Sequence, residues 1–160
     1  MTYYYISIGT NIVPEKNAIL IIENICKYFG EIYLYPFVYT KAINLDTSSN
    51  FLNSLAVLKS HLDINFVKLQ LTEIEENLGR DKNDPMSSLK DRVADLDIIA
   101  KSDNFDLGIL TDTLEPYEIE VLKGNNKFIC SSLPIKGPST INLYCSPRNK
   151  GITENKFNGI

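Results

Sequence analysis

Apolar positions along this chain change their period several times, and each change marks an element. From Tyr3 to Ile8 the residues are mostly aromatic or β-branched and stop at Gly9, which predicts a strand. Pro14 opens a segment in which Ile21, Ile22, Ile25 and Phe29 recur at helical spacing, and Gly30 stands where a C-terminal cap belongs. Ile32 to Tyr39 alternates aromatic and aliphatic residues and reads as a second strand; Phe51 to Leu58 reads as a third, with a polar loop from Thr40 to Asn50 between them. Asp63 is placed to cap a second helix, whose stripe Val67, Leu71, Ile74 and Leu78 ends at Gly79. Asp81 to Asp91 is a polar loop containing Pro85, and Asp95 to Lys101 is a fourth strand.

The order βαββαβ predicts an α+β fold of ferredoxin-like type, an antiparallel sheet with two helices on one face and a C-terminal extension. A chain of 160 residues is long enough for one domain with a real core. We read 1–160 as that domain, with 1–101 as the ferredoxin-like core and 102–160 as the extension. Within the extension Leu114 to Leu122 predicts a short helix and Phe128 to Pro134 a short strand. Pro138 to Ile160 is rich in Ser, Asn, Gly and Pro and reads as largely irregular, tied down by Ile141, Leu143 and Tyr144.

Composition narrows the function classes. The net charge is −4, from 16 basic and 20 acidic side chains, which argues against a nucleic-acid surface because phosphate backbones need clustered cations. Only Arg80, Arg92 and Arg148 are arginines, so a polyphosphate site must draw on lysines or metal ions. Cys26, Cys130 and Cys145 are too far apart for a CxxC site, and His61 is the single histidine, which makes a zinc centre improbable. The start MTYYYISIGT has no basic n-region, and no apolar run approaches the ~18 residues of a membrane span. A cytoplasmic, monomeric domain is the expectation, with no membrane or nucleic-acid partner.

The stretch RVADLDIIA, Arg92 to Ala100, carries the chemistry. In a strand residues i and i+2 share a face, so Asp95 and Asp97 project together while Leu96 and Ile98 project oppositely. Two carboxylates held side by side repel each other, and burial adds to the cost. A hard divalent cation relieves this, since magnesium takes oxygen ligands from one or two carboxylates plus phosphate oxygens. An Asp-x-Asp pair on an edge strand is also compatible with a plain solvated face.

DLDI preceded by Arg92, together with YISIGTN (Tyr5 to Asn11), FLN (Phe51 to Asn53) and IEENLGR (Ile74 to Arg80), resembles the 6-hydroxymethyl-7,8-dihydropterin pyrophosphokinase family over roughly residues 3 to 101. The resemblance implies a ferredoxin-like fold and transfer of pyrophosphate from ATP to a pterin alcohol in folate biosynthesis. It implies that Asp95 and Asp97 hold two Mg2+ ions bound with ATP, and that Arg92 contacts nucleotide phosphate; a salt bridge to Asp95 is the simpler account of Arg92. Phe51 and Asn53 would stack on and read the pterin, with Thr40 contacting it through its backbone. Phe51 is otherwise a core aromatic. Glu75 would contact the nucleotide, or else face solvent on its helix. Arg80 and Lys82 would belong to the loop that closes over the phosphates; Lys90, on composition alone, is a further cation for that loop.

The chain departs from the family pattern in three places. It has no tryptophan, whereas the family's mobile loop usually closes one over the pterin; Met86 and Leu89 are left for that task. The loop DKNDPMSSLK is poorer in arginine. Downstream of DLDI, Leu110 to Lys127 holds no histidine or arginine, leaving Pro116 and Tyr117 for the turn and Lys123 and Lys127 as cations. A catalytically impaired homologue that binds a pterin or nucleotide is therefore the alternative reading. A ferredoxin-like RNA-binding domain is disfavoured by the acidic charge. His61, just before the second helix, reads as a surface residue.

Overall fold

A computed structural model of the protein describes residues 1–35, 37–40, 50–86, 91–111, 115–123, 127–128 and 142–145. Its core runs β1 (Thr2–Thr10), α1 (Pro14–Phe29), β2 (Glu31–Leu34), β3 (Phe37–Thr40), β4 (Phe51–Ser60), α2 (Ile64–Asn77) and β5 (Asp95–Ser102). β1 pairs antiparallel with both β4 and β5, and β2 pairs antiparallel with β4, giving the order β5-β1-β4-β2. This is the ferredoxin-like arrangement that the element order predicts.

Strand alternation divides the core in two. Tyr4, Ile6 and Ile8 of β1 join Ile32, Leu34, Leu52, Ala56, Leu58 and Leu96 under the two helices, which contribute Ile21, Ile22, Ile25, Val67, Leu71 and Ile74. The helices start and stop where local chemistry dictates. Asp63 accepts from the N–H groups of Asn65 (2.8 Å) and Phe66 (3.3 Å), and Gly30 (φ 81°) and Gly79 (φ 108°) turn the chain out of α1 and α2 in a conformation that favours glycine. At the start of α1 the device is different. Val13 lies in the left-handed region (φ 38°, ψ 59°), which a β-branched residue adopts only under strain. Asn17 holds the junction by donating to the Ile12 carbonyl at 2.5 Å.

The second strand is not continuous from Ile32 to Tyr39 as the pattern suggests. β2 ends at Leu34 and β3 starts at Phe37, as suits a sequence with a proline between them, which cannot donate to a ladder. The Tyr35 N–H reaches the Leu55 carbonyl at 2.9 Å and the Ser54 hydroxyl donates to the Tyr35 carbonyl at 2.8 Å, so the break leaves these groups satisfied. Register slips by one residue across it, from Leu34↔Ala56 in β2 to Val38↔Asn53 in β3. A one-residue slip exchanges the faces of a strand. Ile32 and Leu34 therefore face the helices, whereas Val38 and Thr40 face the other way.

The extension covers part of that other face. A 3-10 turn at Leu107–Thr111 and α3 (Pro116–Lys123) bring Leu110 and Val121 onto Tyr5, Tyr33, Tyr35, Val38, Leu55 and Val57. The Tyr5 hydroxyl accepts the Asp106 N–H at 2.8 Å and anchors the start of this segment. The helix begins at Pro116 rather than Leu114, as suits a residue whose missing N–H is no loss in a first turn. Of the strand expected at 128–134, the described part is β6 (Lys127–Phe128), paired with β3; the rest lies outside the described residues. Of the tail read as largely irregular and tied down by Ile141, Leu143 and Tyr144, the described residues Asn142–Cys145 form β7, parallel to β2, where an open edge supplies partners; the rest lies outside the described residues. Among the described residues no helix is long and apolar enough to cross a membrane.

Candidate active site

Among the described residues, the extension covers one end of the sheet face opposite α1 and α2. At the other end the face presents the residues singled out above. Gly9 of β1 pairs with Asn53 of β4 on one side and with Asp95 of β5 on the other. Phe51 and Thr40 are themselves paired, and by alternation Thr40, Phe51, Asn53, Gly9, Asp95 and Asp97 all stand on this face. The Asn53 amide donates to the Thr40 hydroxyl. Phe51 and Asn53 are 7% and 5% exposed, so the asparagine is a buried polar group whose orientation is fixed by a partner. Gly9 forms the floor between them: a Cβ there would sit 2.8 Å from Asn53 Oδ1 and 3.5 Å from the Phe51 ring. Sequence reasoning quoted Gly9 but gave it no role, because a glycine ending a strand looks like punctuation.

Beside this aromatic–amide pair stands a charged cluster. Asp95 accepts from Arg80 Nη1 at 2.6 Å through one oxygen and from Arg92 Nη1 through the other. The Arg92 guanidinium also lies 6.0 Å from the centre of the Phe51 ring, linking the two halves of the site by a cation–π contact. Arg80 donates further to Glu75 at 3.0 Å and to the Ala94 carbonyl at 3.1 Å. Glu75 is fully buried, accepts the Leu96 N–H at 2.8 Å, and pairs with Lys82. Burial raises its carboxyl pKa above the ordinary value, opposed by Lys82, the Leu96 N–H and Arg80. Glu75 thus does not face solvent; it sits behind Asp95, where it ties the end of α2 to Arg80, Lys82 and the start of β5.

Asp97 differs from its neighbour. Its side chain reaches solvent, and among the described residues nothing donates a hydrogen bond to it. Partial enclosure by protein and then the Asp95 charge raise its pKa, against the lowering pull of Lys82, Arg80 and Arg92. It lines a cavity of about 160 Å³ between α2 and the edge strand β5, walled by Ile64, Leu71, Leu96 and Ile98 and flanked by Lys68, Thr72 and Lys82. The sequence reading missed Lys68 and Thr72; their signal was helical spacing to Glu75, at seven and three residues upstream. Among the described residues no three His, Cys, Asp or Glu side chains gather into a metal cage. An all-oxygen pair with one carboxylate unengaged suits a hard cation that completes its shell with phosphate and water.

A family model for 7,8-dihydro-6-hydroxymethylpterin-pyrophosphokinase matches residues 5–129. The chain belongs to this family. A search of curated proteins finds no match. The matched span starts within β1 and runs through the carboxylate pair to β6, so the rest of the ferredoxin-like core, the 3-10 turn and α3 lie within it. Of the cations expected for phosphate, Arg80, Lys82 and Arg92 converge on Asp95 and Glu75. Lys90 and Leu89 lie outside the described residues, as do the side chains of Lys123 and Lys127. Met86 is half exposed, and His61 is exposed as expected of a surface residue.

Proposed function

We propose that the protein transfers pyrophosphate from ATP to the hydroxymethyl group of 6-hydroxymethyl-7,8-dihydropterin, in a magnesium-dependent reaction that releases AMP. The observation that carries this reading is the shared sheet face: an aromatic–amide pair suited to a flat heterocycle lies directly beside a carboxylate pair ringed by cations. Phe51 offers a ring to the pterin, and Asn53, oriented by the Thr40 hydroxyl, offers paired donor and acceptor groups. The cavity beside Asp97 has apolar walls for a purine, with Lys68 and Lys82 at its rim.

The pterin alcohol oxygen attacks the β-phosphorus, the bond from that phosphorus to the α-phosphate oxygen breaks, and AMP leaves as the alcohol proton is lost. This chemistry asks little of covalent catalysis and much of positioning and charge. Asp95 and Asp97 would hold Mg2+, which when bound offsets the charge of the phosphate oxygens. Arg80 and Arg92 keep Asp95 in a single orientation and direct positive charge toward the same place, and Glu75 fixes Arg80 and Lys82 from behind.

A second reading, a homologue that binds pterin or nucleotide without turnover, is favoured by one observation: Leu110 to Lys127 supplies no arginine or histidine. One experiment separates the two. AMP formation from Mg·ATP is measured with and without the pterin, alongside calorimetric binding of each ligand. Pterin-dependent AMP establishes the transferase. Binding of both ligands without AMP, at high protein concentration, establishes the binding module.

A further inference from the structure

Asn11 closes the YISIGTN run and plays no part in the reading above, yet it is 6% exposed and fully engaged. Its backbone N–H donates to the Arg92 carbonyl at 3.0 Å, and its side-chain oxygen accepts the Arg92 N–H at 2.6 Å. The side-chain amide thus plays the part of a strand carbonyl, and the two residues form a rung beyond Gly9↔Asp95, the last described β1–β5 pair. The Thr10 hydroxyl adds a 3.4 Å contact to the same Arg92 carbonyl, and the Asn11 Nδ2 donates to Asp91 Oδ1 at 2.8 Å. Both sides of the Arg92 peptide are therefore fixed to the end of β1. Arg92 is the point where the polar 81–91 segment rejoins the sheet, and its guanidinium is the group that bridges Asp95 and the Phe51 ring.

We propose that Asn11 is a positioning residue for Arg92: it clamps the Arg92 backbone so that the guanidinium is set between the carboxylate centre and the aromatic ring. The proposal rests on the reading of Arg92 as a nucleotide-phosphate contact. It predicts that Asn11 acts through Arg92 and not through general stability, so the two effects do not add.

The test is calorimetric binding of Mg2+ with a non-hydrolysable ATP analogue to the full chain and to Asn11→Ala, Arg92→Ala and the double variant. Asn11→Ala weakens binding about tenfold, the equivalent of one or two lost hydrogen bonds, and the double variant binds no more weakly than Arg92→Ala alone. A tenfold loss added on top of Arg92→Ala overturns the proposal, as does wild-type affinity in Asn11→Ala. Wild-type affinity in Arg92→Ala overturns the role of Arg92 itself and the proposal with it. An exchange gives a second readout should Asn11→Ala not fold. Asn11→Asp sets a carboxylate against Asp91 and weakens nucleotide binding. The pair Asn11→Asp with Asp91→Asn reverses one hydrogen bond while keeping both, and restores affinity. Failure of the pair to restore it overturns the clamp.

Discussion

Asp95 and Asp97 stand on the same face of β5, yet Arg80 and Arg92 both hold the first carboxylate and neither holds the second. The two aspartates therefore carry different burdens. Asp95 is built into the fold, whereas Asp97, with its raised pKa, is a cost to the fold that a bound cation would remove. Asn in place of Asp97 should cut pterin-dependent AMP formation by about a hundredfold or more while leaving the melting temperature unchanged or higher. Asn in place of Asp95 should lower both, since Arg80 and Arg92 both lose the Asp95 carboxylate, Arg80 keeping that of Glu75. Thermal melts followed by circular dichroism beside the AMP assay check this, and a lower melting point for Asp97→Asn than for Asp95→Asn would contradict it.

Asn53 is a buried amide with a fixed partner, so its removal should act on one ligand only. Asn53→Ala should weaken pterin binding by about ten- to a hundredfold, the scale of one or two lost hydrogen bonds in a dry site. Affinity for the ATP analogue should be unchanged. Separate titrations of the two ligands distinguish a pterin contact from a general packing role, which would weaken both.

Strain at Val13 predicts a gain from substitution. Val13 is 62% exposed, so little burial is lost on replacing it, and asparagine tolerates the left-handed conformation better than a β-branched residue. Val13→Asn should stabilise the protein by about 0.5–1 kcal/mol, read as an increased midpoint in urea with an unchanged slope. No shift in midpoint would mean that the junction relaxes at no cost.

Cys26 sits in the helix-side core, and burial raises its thiol to about 12. In a variant carrying Cys130→Ser and Cys145→Ser, the remaining thiol should resist a disulfide reagent at pH 8 until the core opens. The sign of the pH effect follows. Between the ordinary thiol value near 9 and the folded value of about 12, the unfolded chain loses a proton that the folded chain retains. This contribution to stability therefore falls as pH rises through that window. Rapid labelling under native conditions would show that α1 opens far more readily than its packing implies.

Much of the site was legible because its signals are local. The period of two in DLDI puts Asp95 and Asp97 on one side without reference to the rest of the chain, and the same rule aligns Phe51 with Asn53. Two features resisted. Glu75 lies one residue beyond Ile74, off the apolar stripe, and looks solvent-facing from periodicity; its burial depends on Arg80, Lys82 and Leu96, which only tertiary structure brings to it. Thr40 is the sharper case. An unbroken strand from Ile32 would place it on the helix side with Ile32 and Leu34, away from Asn53. Pro36 announces an interruption, but proline alone does not reveal that the ladder resumes one residue out of step. That slip turns Thr40 toward the site.

The parallel pairing of β2 with β7 bears on how the chain is made. The strands of the order β5-β1-β4-β2 all precede residue 103, while the segment that caps β2, Asn142–Cys145, emerges from the ribosome later. During that interval the nascent core carries a bare strand edge at Glu31–Leu34, a template on which a strand from a neighbouring chain can dock in place of β7. The delay between the two events thus bounds how long the newborn protein is exposed to mispairing.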